Sequence, residues 1–226
     1  MVMVVLSIAF AVPVLLVMLR AGGAPAADPN AAPLVLAGMA ATWLGLGGWS
    51  VLTSRWRGLG TLRDDFGFWW SWRRDLPIGV AGGVVALFVG FAVAITQERL
   101  GVTAVSNGTF LTTAWQENRV AFAALTFGAV VGAPLAEELF FRGLAFTAID
   151  RRLGSRWAVV LSTALFGLLH FQVAEGWSAV FLVLHITTFG FVLGLLRRFT
   201  GRCGAGVVAH MTINGFGVLT VMLGLG

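Results

Sequence analysis

The chain has 226 residues, 58% hydrophobic and 11% charged, with a formal net charge of +5. A mean hydropathy of +0.90 excludes a water-soluble globular domain and matches a polytopic integral membrane helix bundle, all-α in class. All fifteen basic residues are arginines, set in short clusters between apolar runs as in cytoplasm-facing loops; the basicity therefore reads as topology, and nucleic acid is not expected as a partner.

Met1 to Leu19 is apolar and long enough to cross a bilayer, which takes about 20 helical residues. A signal peptide is the alternative, because A-G-G-A-P-A-A follows, but the run lacks a basic start and exceeds the usual apolar core. Pro33 to Leu52 is the second span. The loop after it carries Arg55, Arg57, Arg63, Arg73 and Arg74 beside Asp64, Asp65 and Asp75, and its arginines mark it as cytoplasmic. Within it, Phe66 to Trp72 (F-G-F-W-W-S-W) is an aromatic segment suited to the headgroup level, whereas a base-stacking platform would need a basic groove in water.

Leu76 to Thr96 is the third span, and Gln97 to Asn118 reads as a polar outer loop with turn residues, in which Asn107-Gly108-Thr109 is a chance-level glycosylation match. Arg119 to Phe146 is the fourth span, ending at Asp150, Arg151, Arg152 and Arg156. Trp157 to Phe171 is a short fifth, Trp177 to Leu196 a sixth, and Cys203 to Gly226 the seventh, after Arg197, Arg198 and Arg202. About seven spans put every arginine cluster on one side, with the amino terminus cytoplasmic. The chain divides into 1–118, amino-terminal spans with an Arg/Trp-rich loop, and 119–226, a core of four transmembrane helices.

Glu137 and Glu138 stand inside the fourth span, where a carboxylate costs ~2.5–3.5 kcal/mol on insertion scales unless it is paired or faces a wet cavity. The other strongly polar side chains of the spans are Arg142, His170, His185, His210 and Asn214. Glu138 and Arg142 are four apart on one helix face and form a candidate structural pair, which turns Glu137 toward another neighbour. His210 and Asn214 share a face in the same way, and Phe166 stands one turn before His170. At 1.5 Å per residue from the cytoplasmic span ends, Glu137 lies roughly 16 Å deep, His170 about 20 Å, His210 about 12 Å and Asn214 about 18 Å, so three helices can gather them at mid-membrane. Pro134, one turn before Glu137, removes a backbone hydrogen bond and is expected to kink the helix.

A glutamate beside imidazoles can deprotonate water, and an imidazolium or carboxamide can donate to an oxyanion, which are the parts of peptide hydrolysis. Alternatively Glu137, His170 and His210 would ligate zinc, with Glu138 as base. The residues alone leave both open. There is no H-E-x-x-H helix and no G-x-S-x-G elbow, and Cys203, the single cysteine, reads as a packing residue that excludes an intrachain disulfide.

E-E-x-x-x-R at Glu137 to Arg142, F-x-x-x-H at Phe166 to His170 and H-x-x-x-N at His210 to Asn214 resemble, in order and spacing, the three motifs of the CAAX protease and bacteriocin-processing (CPBP) family of intramembrane peptidases. The resemblance covers the chain from Arg119 onward. It implies that Glu137 activates water with help from His170, that His210 and Asn214 stabilise the oxyanion, and that Glu138 and Arg142 support the site. It implies a peptide or protein substrate, in some members lipidated, and a multi-pass protein of a prokaryotic cell membrane with its site open to the cytoplasm. The family is described both as metal-dependent and as metal-free, so a zinc cofactor and a glutamate-based mechanism stay side by side. A non-catalytic scaffold or bacteriocin self-immunity protein is the rival reading, and an ion-coupled transporter a second, although no inverted repeat of interrupted helices is visible. His185 lies outside the motifs and is expected to pack between helices, with a supporting contact behind the site or a supplementary ligand as the alternatives.

Overall fold

The computed structural model describes residues 32–104, 109–170 and 177–225, and these form helices and connecting turns without a strand. The first expected span, its cleavage alternative, Asn107 with Gly108 and the segment after His170 lie outside the described residues. The helices are α1 (Ala32–Arg57), α2 (Leu62–Phe66), α3 (Trp72–Arg99), α4 (Thr109–Glu117), α5 (Arg119–Leu153), α6 (Ser155–Leu169), α7 (Trp177–Thr200) and α8 (Gly204–Met222). Five of them, α1, α3, α5, α7 and α8, are long and apolar enough to cross a membrane, and α6 is a shorter apolar helix. The chain is thus an all-α integral membrane protein, and the expected spans two to seven each correspond to one of these six helices. At 35 residues α5 is about 50 Å long. That exceeds a hydrocarbon layer of about 30 Å, so its polar end, with Asp150, Arg151 and Arg152, projects beyond the layer.

α3 packs along α8 and α7 through small residues. A side chain added at Gly79 would run into Val208 and the Ala205 carbonyl, and one at Gly83 into Thr212 and the Ala209 carbonyl. Without a hydrophobic drive between helices in lipid, such close backbone approach supplies the packing energy. Ala86, Leu193, Ala209 and Ile213 fill the seam.

The expected outer loop is partly helical. Asn118 caps α5 by accepting hydrogen bonds from the amides of Val120 and Ala121, at 3.2 and 3.0 Å. Its helix-starting position lets α4 fold back so that Leu111 and Ala114 bury against Phe122, Leu125 and Val218. Turn-type residues there hid an apolar face with helical spacing.

At the other end of the bundle the arginine-rich segments meet. Arg202 pairs with Asp75, Arg197 donates to the carbonyls of Arg142 and Phe66, and the Cys203 amide donates to Gly67. Arg63 and Arg202 each stack over Trp69 at 5.0 Å. The aromatic segment is therefore divided: Phe66 is buried, Trp69 lies against two guanidinium groups, and Trp70 and Trp72 remain exposed for an interfacial role.

Candidate active site

Glu137 sits on α5 between two stretches, Gly128–Gly132 and Glu138–Ala145, that wind more widely than an α-helix. Such widened turns are rare in proteins and are found frequently at functional sites. In the first, the amide of Ala133 bonds to the carbonyl of Gly128, five residues back. The next donor in that register would be position 134, but Pro134 has no N–H, and the wide winding ends there. At Pro134 the winding of the helix changes, and Glu137 follows three residues later.

Glu138 and Arg142 pair at 2.9 Å with both side chains fully buried. Arg142 also donates to the carbonyl of Gly190 on α7 at 2.8 Å. Glycine is required there, because an added Cβ would lie 2.9 Å from the Phe166 ring and 3.2 Å from the guanidinium. Phe166 is fixed from four sides: Arg142 lies 4.5 Å above its ring, Phe141 edges against it at 5.2 Å, and the rings of His170 and His210 lie 4.7 and 5.8 Å away. One aromatic ring therefore spaces both imidazoles, which gives the F-x-x-x-H pattern its physical content.

The two histidines are oriented by their Nδ1 atoms. His170 Nδ1 lies 2.8 Å from the carbonyl oxygen of Phe166, which only accepts, so Nδ1 carries the proton. His210 Nδ1 lies 3.2 Å from Oε1 of Glu138, the oxygen that also accepts from Arg142, and donates in the same way. Each ring then turns its Nε2 toward Glu137. Oε2 of Glu137 lies 4.0 Å from Nε2 of His170 and 3.9 Å from Nε2 of His210. That oxygen is buried and has no hydrogen-bond partner within the protein. The separations are too long for direct hydrogen bonds and suit one water between the carboxylate and an imidazole.

Asn214 follows His210 on the same face of α8, but its amide nitrogen donates to the carbonyl of Ala129, at 2.7 Å. His185 lies apart from this cluster. It edges against Phe189 at 4.6 Å and faces the bare backbone of Gly90 on α3, which is a packing position. Cys203 is buried at the start of α8, next to the Phe66 carbonyl.

The expected zinc ligands converge but do not form a ligand set. Two ligands of a tetrahedral zinc with bonds of 2.0–2.1 Å stand about 3.4 Å apart, whereas the Glu137 oxygen stands 3.9 and 4.0 Å from the imidazole nitrogens. Among the described residues no group of three or more histidine, cysteine, aspartate or glutamate side chains is gathered closely enough to hold a metal ion.

Residues 119–216 match the family model described as Type II CAAX prenyl endopeptidase Rce1-like. This segment is similar to that family, in line with the resemblance of the three motifs to the CPBP family. It holds all three motifs and every residue of the cluster. No curated protein and no solved structure gives a significant match.

Proposed function

We propose that the protein hydrolyses a peptide bond of a membrane-associated substrate with a water activated by Glu137. The observation that carries this reading is the unpartnered, buried Oε2 of Glu137, faced by two imidazole Nε2 atoms whose opposite nitrogens are already committed. A carboxylate with free acceptor capacity, one water away from a second base, is positioned for proton transfer rather than for holding the fold.

Glu137 takes a proton from the water as its oxygen bonds to the scissile carbonyl carbon, whose oxygen becomes an oxyanion. His210 in its protonated form, steadied through Nδ1 by Glu138, donates Nε2–H to that oxyanion. The C–N bond then breaks, and the departing amine takes the proton that Glu137 received, directly or through Nε2 of His170. The new carboxyl group passes its remaining proton to the amine, and a carboxylate and an ammonium leave. In this reading every step falls on the chain's own groups.

The family match supports as substrate a peptide cleaved near its carboxyl terminus, prenylated or otherwise lipidated. The arginine-rich ends of α1, α3, α7 and α8 meet on one side, which supports a cytoplasmic opening in a prokaryotic cell membrane. The test is cleavage of prenylated and plain peptides by the purified protein in detergent, with and without a strong chelator. Glu137→Gln is expected to lower turnover by about 10²–10⁴-fold, the usual range for a removed general base, while the protein stays folded. Retained turnover in Glu137→Gln would remove this carboxylate from the chemistry, and chelator-sensitive turnover would bring a metal back into it.

A further inference from the structure

We infer that Asn214 is a positioning residue, which holds the Glu137 helix by capping a backbone carbonyl that Pro134 leaves without its donor. This rests on the reading of Glu137 as the base. Three observations meet at one atom. The wide winding of α5 bonds Ala133 N–H to the Gly128 carbonyl, so in the same register the Ala129 carbonyl would take an N–H from position 134. Position 134 is proline and is buried, so neither the chain nor surrounding lipid supplies that donor. The amide nitrogen of Asn214 lies 2.7 Å from this oxygen, across the helix interface and 85 residues away in sequence.

A buried carbonyl without a partner is costly, and in a helix bundle its satisfaction from a neighbouring helix fixes the relative placement of the two. The bond joins α8, one turn from His210, to α5, two turns before Glu137. It therefore sets the distance between the base and His210, and with it the room for one water. The sequence H-x-x-x-N thus couples an imidazole that faces the base to a carboxamide that anchors the base's helix. A hydrogen bond from Asn214 to the oxyanion would demand nothing of residue 134, whereas the anchor makes Asn214 and Pro134 energetically dependent on each other.

That dependence is the test. Pro134→Ala and Pro134→Ser each return an N–H at position 134, and Asn214→Leu removes the anchor without adding a polar group. In the parent protein, Asn214→Leu is expected to lower kcat/KM by about tenfold or more, the scale set by small misplacements of catalytic groups. In either Pro134 background the same substitution is expected to lower it by no more than about threefold, a non-additivity of the kind coupled neighbours show. Equal losses in the parent and Pro134 backgrounds, or no loss in the parent, would overturn the proposal. Should neither Pro134 variant fold, the pH profile of kcat/KM decides: a displaced base moves a limb of the profile, and an unmoved profile with lower turnover overturns the anchor. Glu137→Gln run beside these variants separates the two readings, since full activity there would refute the base itself rather than the anchor.

Discussion

Two regions of this bundle bury carboxylates, and they treat them differently. At the arginine-rich end, Asp75 accepts from Arg202 Nε at 2.9 and 3.0 Å, from Arg202 Nη2 at 2.7 Å and from the Ser71 amide at 2.6 Å. Asp65 accepts from the Ser54 hydroxyl and from the amides of Leu59 and Gly60. Both groups close a loop and have their oxygens satisfied. In mid-bundle, Glu138 is tied to Arg142 and His210 through Oε1 alone, and neither its Oε2 nor that of Glu137 beside it has a donor, but only Glu137 turns that oxygen toward two imidazole Nε2 atoms. A carboxylate tied to an arginine or to backbone amides holds structure; one whose free oxygen faces two imidazoles is available for chemistry.

The comparison can be broken most severely at Arg142. Arg142→Met leaves Glu138 buried and uncompensated, and removing one partner of a buried ion pair costs about 3–5 kcal/mol. A large drop in thermal midpoint in detergent is expected, with activity lost alongside. Next comes Gly206→Ala, whose Cβ would meet Oε2 of Glu138 at 2.9 Å. Forcing that group aside is expected to cost about 1–3 kcal/mol of stability, the range for overpacking, and to lower turnover because His210 loses its Nδ1 acceptor. Phe166→Leu keeps an apolar side chain but loosens both imidazoles, and turnover is expected to fall about tenfold with little change in midpoint.

The smallest effect belongs to Asp65. Burial opposes its ionisation, but the donors from Leu59, Ser54, Gly60 and Thr61 outweigh that and hold the carboxyl below its ordinary value. A lowered folded-state pKa contributes stability that is present above the unfolded value of about 3.9 and is lost as pH falls through the folded value. Unfolding followed from pH 5 downward should therefore show the parent losing more stability below about pH 4 than Asp65→Asn does.

Much of the site was legible because it is written at helical spacing. Glu138 with Arg142, Phe166 with His170 and His210 with Asn214 are each one turn apart, and depth counting from the arginine clusters brought their three helices together. Other features depend on pairings that no local pattern records. Arg202 meets Asp75 across 127 residues and Asn214 meets Ala129 across 85. The wide turns around Glu137 were marked in sequence only by Gly128, Gly132, Pro134 and Gly143, which announce an irregular helix but not its winding. His185 lies outside all three motifs and packs against an aromatic edge and a glycine of α3.

The most direct measurement sets Glu137→Gln beside Asp75→Asn in one detergent, following both thermal midpoint and peptide turnover. Glu137→Gln should keep or raise the midpoint and lose turnover, because it removes the charge from a carboxylate whose buried Oε2 no donor in the protein satisfies. Asp75→Asn should lower the midpoint while the folded fraction still turns over substrate. The account is contradicted if Glu137→Gln melts early and its folded fraction cleaves as the parent does, since that carboxylate would then be holding the helices together like any other buried ion.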